Sequence, residues 1–197
     1  MNKESLLKEI ATNGYNVGFG AKKNFASYDI LIKLPSWVGF VSLSIGILQL
    51  GYDSLGGNKE LSAFLIIISV AIMYLNSFNA KIDDFNEEGI RLTKLFNSLR
   101  LLYFKVKDSD KENYNTDSIE LKEILTEYYS KSITKQVFMS QWYAHYKFFY
   151  EMQIVWVDEQ LKFKFIKDKV PASLKIIVSI TIIVTIIYAI YEYIRNI

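Results

Sequence analysis

The sequence predicts an all-α membrane protein: an N-terminal transmembrane hairpin, a long helix continuing into a cytoplasmic helical bundle, and a C-terminal transmembrane helix. Three observations predict it. Residues 34–52, 61–80 and 176–191 contain no Asp, Glu, Lys or Arg, and a spanning helix takes about 20 mostly apolar residues. An apolar repeat spaced alternately by three and four residues follows the second stretch. Lysines and arginines flank the stretches asymmetrically, as membrane topology requires. The resulting organisation is a cytoplasmic amphipathic segment at 1–33, the hairpin at 34–80, a cytoplasmic helical region at 81–170 and the last span at 171–194.

The averages alone do not decide this. The chain has 197 residues, 51% hydrophobic and 22% charged, with a net charge of +2. A soluble domain tolerates such values; the block distribution of apolar residues is what points to a bilayer. The charge is too small to suggest nucleic-acid binding by bulk electrostatics. With no cysteine, disulfides and thiolate metal sites are excluded. The N-terminal run MNKESLLKEIATNGYN carries charges throughout and does not read as a secretory signal.

Within the first 33 residues, Ala21, Phe25, Tyr28 and Ile32 fit a short amphipathic helix lying against the membrane or the bundle. The first span, SWVGFVSLSIGILQLGY, has Trp37 and Tyr52 where interfacial aromatics belong, and Pro35 suits the first turn of its helix. A connector, GYDSLGGNKE, leads to the second span, LSAFLIIISVAIMYLNSF.

Ile82, Phe85, Gly89, Leu92, Phe96, Leu99, Tyr103 and Val106 then repeat in heptad phase, a phase shared by Ile68, Ala71, Leu75 and Phe78. One unbroken helix over 61–107, about 70 Å long, is therefore expected. Its apolar stripe packs within the chain more readily than in a self-associating coiled coil. Gly89 marks a close approach or a bend. Asp83, Asp84, Glu87 and Glu88 fall on the other faces, and Glu87 with Arg91 suits a surface pair. The polar run KVKDSDKENYNTDS reads as a loop. Asp117 or Ser118 can cap the next helix, which carries Ile119, Leu121, Ile124, Leu125 and Tyr128. A further helix is expected from about Thr134 through the aromatic-rich stretch that ends before Pro171.

The third span holds ten isoleucines and valines between Ile176 and Ile190. Together they favour insertion by about 3–6 kcal/mol. Lys22, Lys23 and Lys33 precede the first span, Lys81, Arg91 and Lys94 follow the second, and Lys162, Lys164, Lys167, Lys169 and Lys175 precede the third. Only Lys59 lies in the connector. The N-terminus and the central region are therefore expected inside, the connector and the last residues outside. The five lysines before the third span also form a lipid-facing basic cluster, suited to anionic headgroups.

No catalytic or metal-ligating residue emerges. His145 stands alone among Trp142, Tyr143, Tyr146 and Phe148, which favours packing over catalysis. Gly18, Gly20, Lys22 and Lys23 lack phosphate-loop spacing. No cofactor is expected, and the chain does not read as an enzyme. Ser42 with Gly46, and Thr181 with Thr185 and Ala189, have the small-residue spacing of helix–helix contacts in membranes. Ser44, Gln49, Asn76 and Ser77 are candidates to line a polar path.

The order YNVGFGAKKNFASYD, LPSWVGFVSLSIGIL, second span and charged amphipathic helix resembles the SLATT family of two-transmembrane domains associated with bacterial second-messenger and defence genes. The likeness looks closest to a subgroup encoded near reverse transcriptases. It implies an anti-phage effector in the bacterial inner membrane that assembles with copies of itself and permeabilises the bilayer. It brings no catalytic motif. The partners expected are membrane lipids, further copies of the chain, and a sensor or reverse-transcriptase-system protein, without direct nucleic-acid contact. A non-conducting adaptor that binds a sensor through its cytoplasmic helices is the alternative.

Overall fold

The computed structural model describes residues 2–131, 133 and 135–195. No strand occurs among them. The helices are α1 (Lys3–Gly51), α2 (Asp53–Gly56), α3 (Lys59–Asn76), α4 (Ile82–Lys107), α5 (Asn115–Ser130), α6 (Ser140–Tyr146), α7 (Val155–Leu161) and α8 (Ala172–Arg195). A 3-10 turn lies at Asn79–Lys81, and π-helical turns at Lys147–Glu151 and Phe165–Lys169. Two compact units result, Met1–Leu161 and Lys162–Ile197. Three helices are long and apolar enough to cross a membrane: α1, α3 and α8. The all-α membrane class is as the sequence predicts.

The unbroken helix is not where it was expected. Instead of a short N-terminal helix followed by a span, α1 runs for 49 residues with Pro35 in its interior. Asn2 caps it, its side-chain oxygen accepting from the Ser5 N–H at 2.8 Å. Pro35 removes one donor from the ladder. The helix nevertheless continues, because in a bilayer the neighbouring backbone groups have no partners outside a helix. The Ser36 hydroxyl reaches the Ile32 carbonyl at 3.5 Å, a marginal contact.

Conversely, the helix expected over 61–107 is interrupted. It ends at Asn76 and resumes at Ile82. The Phe78 N–H donates to the Leu75 carbonyl and the Lys81 N–H to that of Phe78, both i to i−3 bonds that tighten the turn. The Ser77 hydroxyl takes the Tyr74 carbonyl at 2.8 Å. Ser77 competes with helical bonding in this way. Phe78 stays in apolar phase because it is buried with Leu31, Leu75, Phe85 and Val137. The heptad stripe thus persists across a turn that stops the helix.

The body is built on α1 against α4. Phe85, Gly89, Leu92, Phe96, Leu99, Tyr103 and Val106 are all buried, as the heptad reading required. Their partners are intrachain: Leu6, Ile10, Ala11, Gly14, Val17, Gly18 and Ala21 form the buried stripe of α1. Each large apolar side chain fully buried here contributes about 1.5–3 kcal/mol. The fit depends on glycine. A Cβ at Gly14 would overlap the Trp156 ring, and one at Gly18 would come within 2.8 Å of Phe96. Gly89 is a close approach, since its Cβ would stand 2.8 Å from Phe25.

Three further expectations change. Glu88 is buried, and it pairs with Arg91 in place of Glu87. Asp117 does not cap α5, whose helix already starts at Asn115. Asp117 is instead a buried acceptor for Lys105 and Lys111. The single helix expected after Thr134, a start that itself lies outside the described residues, is divided into α6, a π turn and α7. Met139, just before α6, and Lys162, just after α7, have positive φ, and Met152 is extended. These bends let Phe148 and Trp156 both enter the core.

Candidate functional site: an apolar hairpin on a braced helical body

Among the described residues, α1 buries no side chain from Ile32 to its end, and α3 buries only Leu75. Trp37, Phe40, Leu43 and Ile47 on α1, with Ile66, Ile67 and Val70 on α3, are exposed. Such a contiguous apolar surface needs lipid or protein around it. A groove of about 150 Å³ runs between α1 and α3 beside Trp37, Val41, Ser42, Phe64 and Ile68. Ser42 therefore faces α3 of its own chain. One turn on, a Cβ at Gly46 would meet nothing within 4 Å, and the same is true at Gly39.

The polar residues proposed for a path are partly satisfied locally. The Ser44 hydroxyl donates to the Phe40 carbonyl at 2.9 Å and the Gln49 amide to that of Leu55 at 3.3 Å. Asn76 is the last residue of α3, and Ser77 is engaged in the turn. On α8, Thr181 and Thr185 donate to the carbonyls of Ile177 and Thr181, and Ala189 is exposed. Serine and threonine hydroxyls bonded this way keep their acceptor lone pairs.

In the unit 162–197, the basic cluster is shaped by a turn. The Lys164 N–H donates to the Asp168 carboxylate at 2.8 Å, and the Lys175 ammonium to the carbonyls of Ile166 and Lys167 at 3.1 and 3.2 Å. Lys162 and Lys167 are exposed, as are Phe165 and Ile166 between the lysines. Lys169 is half-buried. Pro171, buried, precedes α8, as expected of its place before the span.

Ionic ties brace the body. Asp29 accepts from Lys33 at 2.7 Å and Lys147 at 2.6 Å, joining α1 to the π turn after α6. Burial pushes the Asp29 carboxyl up, but hydrogen bonds from Lys147 and Lys33 outweigh it and hold it below the ordinary range. Asp117 behaves likewise, burial being overcome by Lys111 and Lys105. Arg91 binds both oxygens of Glu88, at 2.9 and 2.7 Å, and donates to the Glu127 and Lys131 carbonyls at the end of α5. The hydrogen bonds it donates to Glu88 raise the Arg91 pKa further. His145 packs edge-on to Phe19, with ring centroids 5.0 Å apart, and beside Phe149. No group of three potential metal ligands occurs among the described residues.

A long helix that is buried on one half and bare on the other, followed by an apolar return helix, defines an all-α membrane protein with a helical body set on a hairpin. The chain belongs to the SMODS and SLOG-associating 2TM effector domain 6 family, SLATT_6, whose model matches residues 1–178. The match takes in the hairpin and the body, and ends inside α8. No curated protein and no solved structure matches the chain.

The stripe Ala11, Gly14, Gly18 and Ala21, into which the aromatic rings close, was missed by sequence reasoning. Its three- and four-residue spacing of small side chains was the available signal.

Proposed function

We propose that this chain is the membrane effector of a bacterial anti-phage defence system, which assembles with copies of itself and permeabilises the inner membrane. The observation that carries this is the bare hairpin. The spans of α1 and α3 leave a groove between them, and Gly39 and Gly46 leave open ground on α1 for another helix. Helices associate in lipid through such close backbone approach. Thr181, Thr185 and Ala189 offer a second small-residue face on α8. Ser44, Gln49, Asn76 and Ser77 would line the path, and the body would lie in the cytoplasm with the N-terminus. The basic cluster at 162–175 would rest on anionic headgroups, at about 1 kcal/mol per lysine. A sensor or reverse-transcriptase-system protein would supply the trigger through the body.

Dye release from liposomes reconstituted with the full chain tests the reading. Triggered or concentrated protein should release dye, and Gly46→Leu should reduce release severalfold while membrane insertion persists, since leucine favours the bilayer. Undiminished leakage by Gly46→Leu would reject this face. A parent protein that never leaks but binds a protein partner through its body would instead be an adaptor.

A further inference from the structure

A polar cleft of about 300 Å³ opens in the body where the end of α5 crosses α1 and α4. This volume is at the lower end of small-molecule sites. Lys23 from α1 and Lys131 after α5 line it, and neither has an acidic partner among the described residues. The cleft's one carboxylate, Glu88, is buried and already holds Arg91 with both oxygens. Arg91 is answered by Glu88 and, beside it, by Glu127, which leaves Lys23 and Lys131 as the lysines lining the cleft.

The walls are pre-formed. Asn24 is buried, its amide nitrogen donating to the Gly20 carbonyl at 3.0 Å and its oxygen accepting from Gln136. The Gln136 oxygen in turn accepts from the Ser27 hydroxyl at 2.8 Å. Two tilted rings, Tyr128 and Tyr129, with centroids 4.9 Å apart, and the buried Leu92 also line the cleft. Two lysines and two tyrosine rings thus line one cleft, within a frame whose amides are held in place.

We propose that this cleft binds a small anion with a flat apolar body, of the phosphomonoester class: the phosphate between Lys23 and Lys131, the body against Tyr128, Tyr129 and Leu92. A phosphate so placed makes charge-assisted hydrogen bonds to both ammonium groups. It would also bridge α1 to the same end of α5 that Arg91 holds, so occupancy stiffens that joint. This site is independent of whether the spans form a pore.

Phenyl phosphate is the probe. The full chain in phosphatidylcholine nanodiscs is titrated by calorimetry and by ligand-observed NMR. Saturable binding is expected, at least about tenfold tighter than inorganic phosphate or phenol alone. Lys23→Gln with Lys131→Gln should weaken it at least about tenfold, with an unchanged melting temperature because both side chains reach solvent. Tyr129→Ala, at an exposed ring, should lower affinity for phenyl phosphate but leave that for inorganic phosphate unchanged. Lys94→Gln with Lys122→Gln, at exposed lysines that do not line the cleft, should change nothing. Phosphatidylglycerol nanodiscs separate the sources: competition there assigns the site to a lipid phosphate, and unchanged binding to a soluble one. Absence of saturable binding, or an equal loss from the Lys94/Lys122 control, overturns the proposal. Leakage is not part of the readout, so its failure leaves this result standing.

Discussion

The two halves of α1 share one backbone and almost nothing else. Residues 3–33 are packed on α4, α6 and α7 through glycines and alanines that admit large rings. Residues 34–51 carry no charge and bury no side chain, and their glycines face open space. The same residue type therefore has opposite meaning along a single helix. Gly14 and Gly18 are filled by this chain's own aromatic rings, whereas Gly39 and Gly46 are available to something else.

The largest expected effect breaks the comparison at Gly14. Gly14→Ala should destabilise the body by about 1–3 kcal/mol or more, because the Trp156 ring is wedged between Phe96 and Tyr103 and cannot retreat. Gly39→Ala should cost nothing, and its gain in helix propensity is up to about 1 kcal/mol. Thermal unfolding in detergent, followed by tryptophan fluorescence, reads both. Equal effects at the two sites would erase the distinction between the halves.

Acid should separate the halves next. The paired carboxylates Asp29 and Asp117 both belong to the body, and their folded pKa values lie below the ordinary 3.8. A depressed carboxyl stabilises the fold fully above its unfolded pKa. That stability declines as pH falls below about 4 and is gone once pH passes under the folded value. The body's melting temperature should therefore drop as pH falls below about 4, while far-ultraviolet circular dichroism of the spans persists. Asp117→Asn should lower stability at neutral pH and flatten the acid response. A drop of equal steepness in that variant would remove Asp117 from the account.

The smallest effect is at Gly89. Alanine adds about 1 kcal/mol of helix propensity, but its Cβ would stand 2.8–3.0 Å from three atoms of the Phe25 ring. Phe25 is only half-buried and can yield in part, so a net loss of about 1 kcal/mol is expected from the overpacking cost. Gly89→Ala with Phe25→Leu should recover the propensity gain. A stabilised single variant would show that the α1–α4 contact is looser than these distances imply.

These contrasts mark how much was legible beforehand. Charge-free length identified all three spans, because a bilayer imposes that signal directly. The inward face of α4 was legible from Phe85 to Val106, because burial selects side chains at helical spacing. Continuity was not legible. Phe78 keeps heptad phase through a turn, since phase reports which side chains are buried and not whether the backbone bonds between them are helical. Pro35 suggested a helix start by local preference, yet the surrounding helix overrides it. Glu88 and Arg91 are only three residues apart, but the carbonyls of Glu127 and Lys131 that hold Arg91 over it lie 36 and 40 residues further on, contacts that no local pattern encodes. Of the proposed membrane contacts, the small-residue spacings could be read directly. That Ser42 turns toward α3 while Gly46 stays open required the hairpin's geometry.

An unbroken α1 also means that the body and the membrane face are in rotational register. Each residue of an α-helix advances about 100°. A single residue inserted near position 33 would leave every packing contact of 3–31 intact and still swing Gly39 and Gly46 about a quarter-turn around the helix axis. Four inserted residues would nearly restore their bearing while raising the span about 6 Å. The orientation in which this protein presents its first span to the bilayer is thus inherited, angle for angle, from how Trp156 and Phe96 seat on the other end of the same rod.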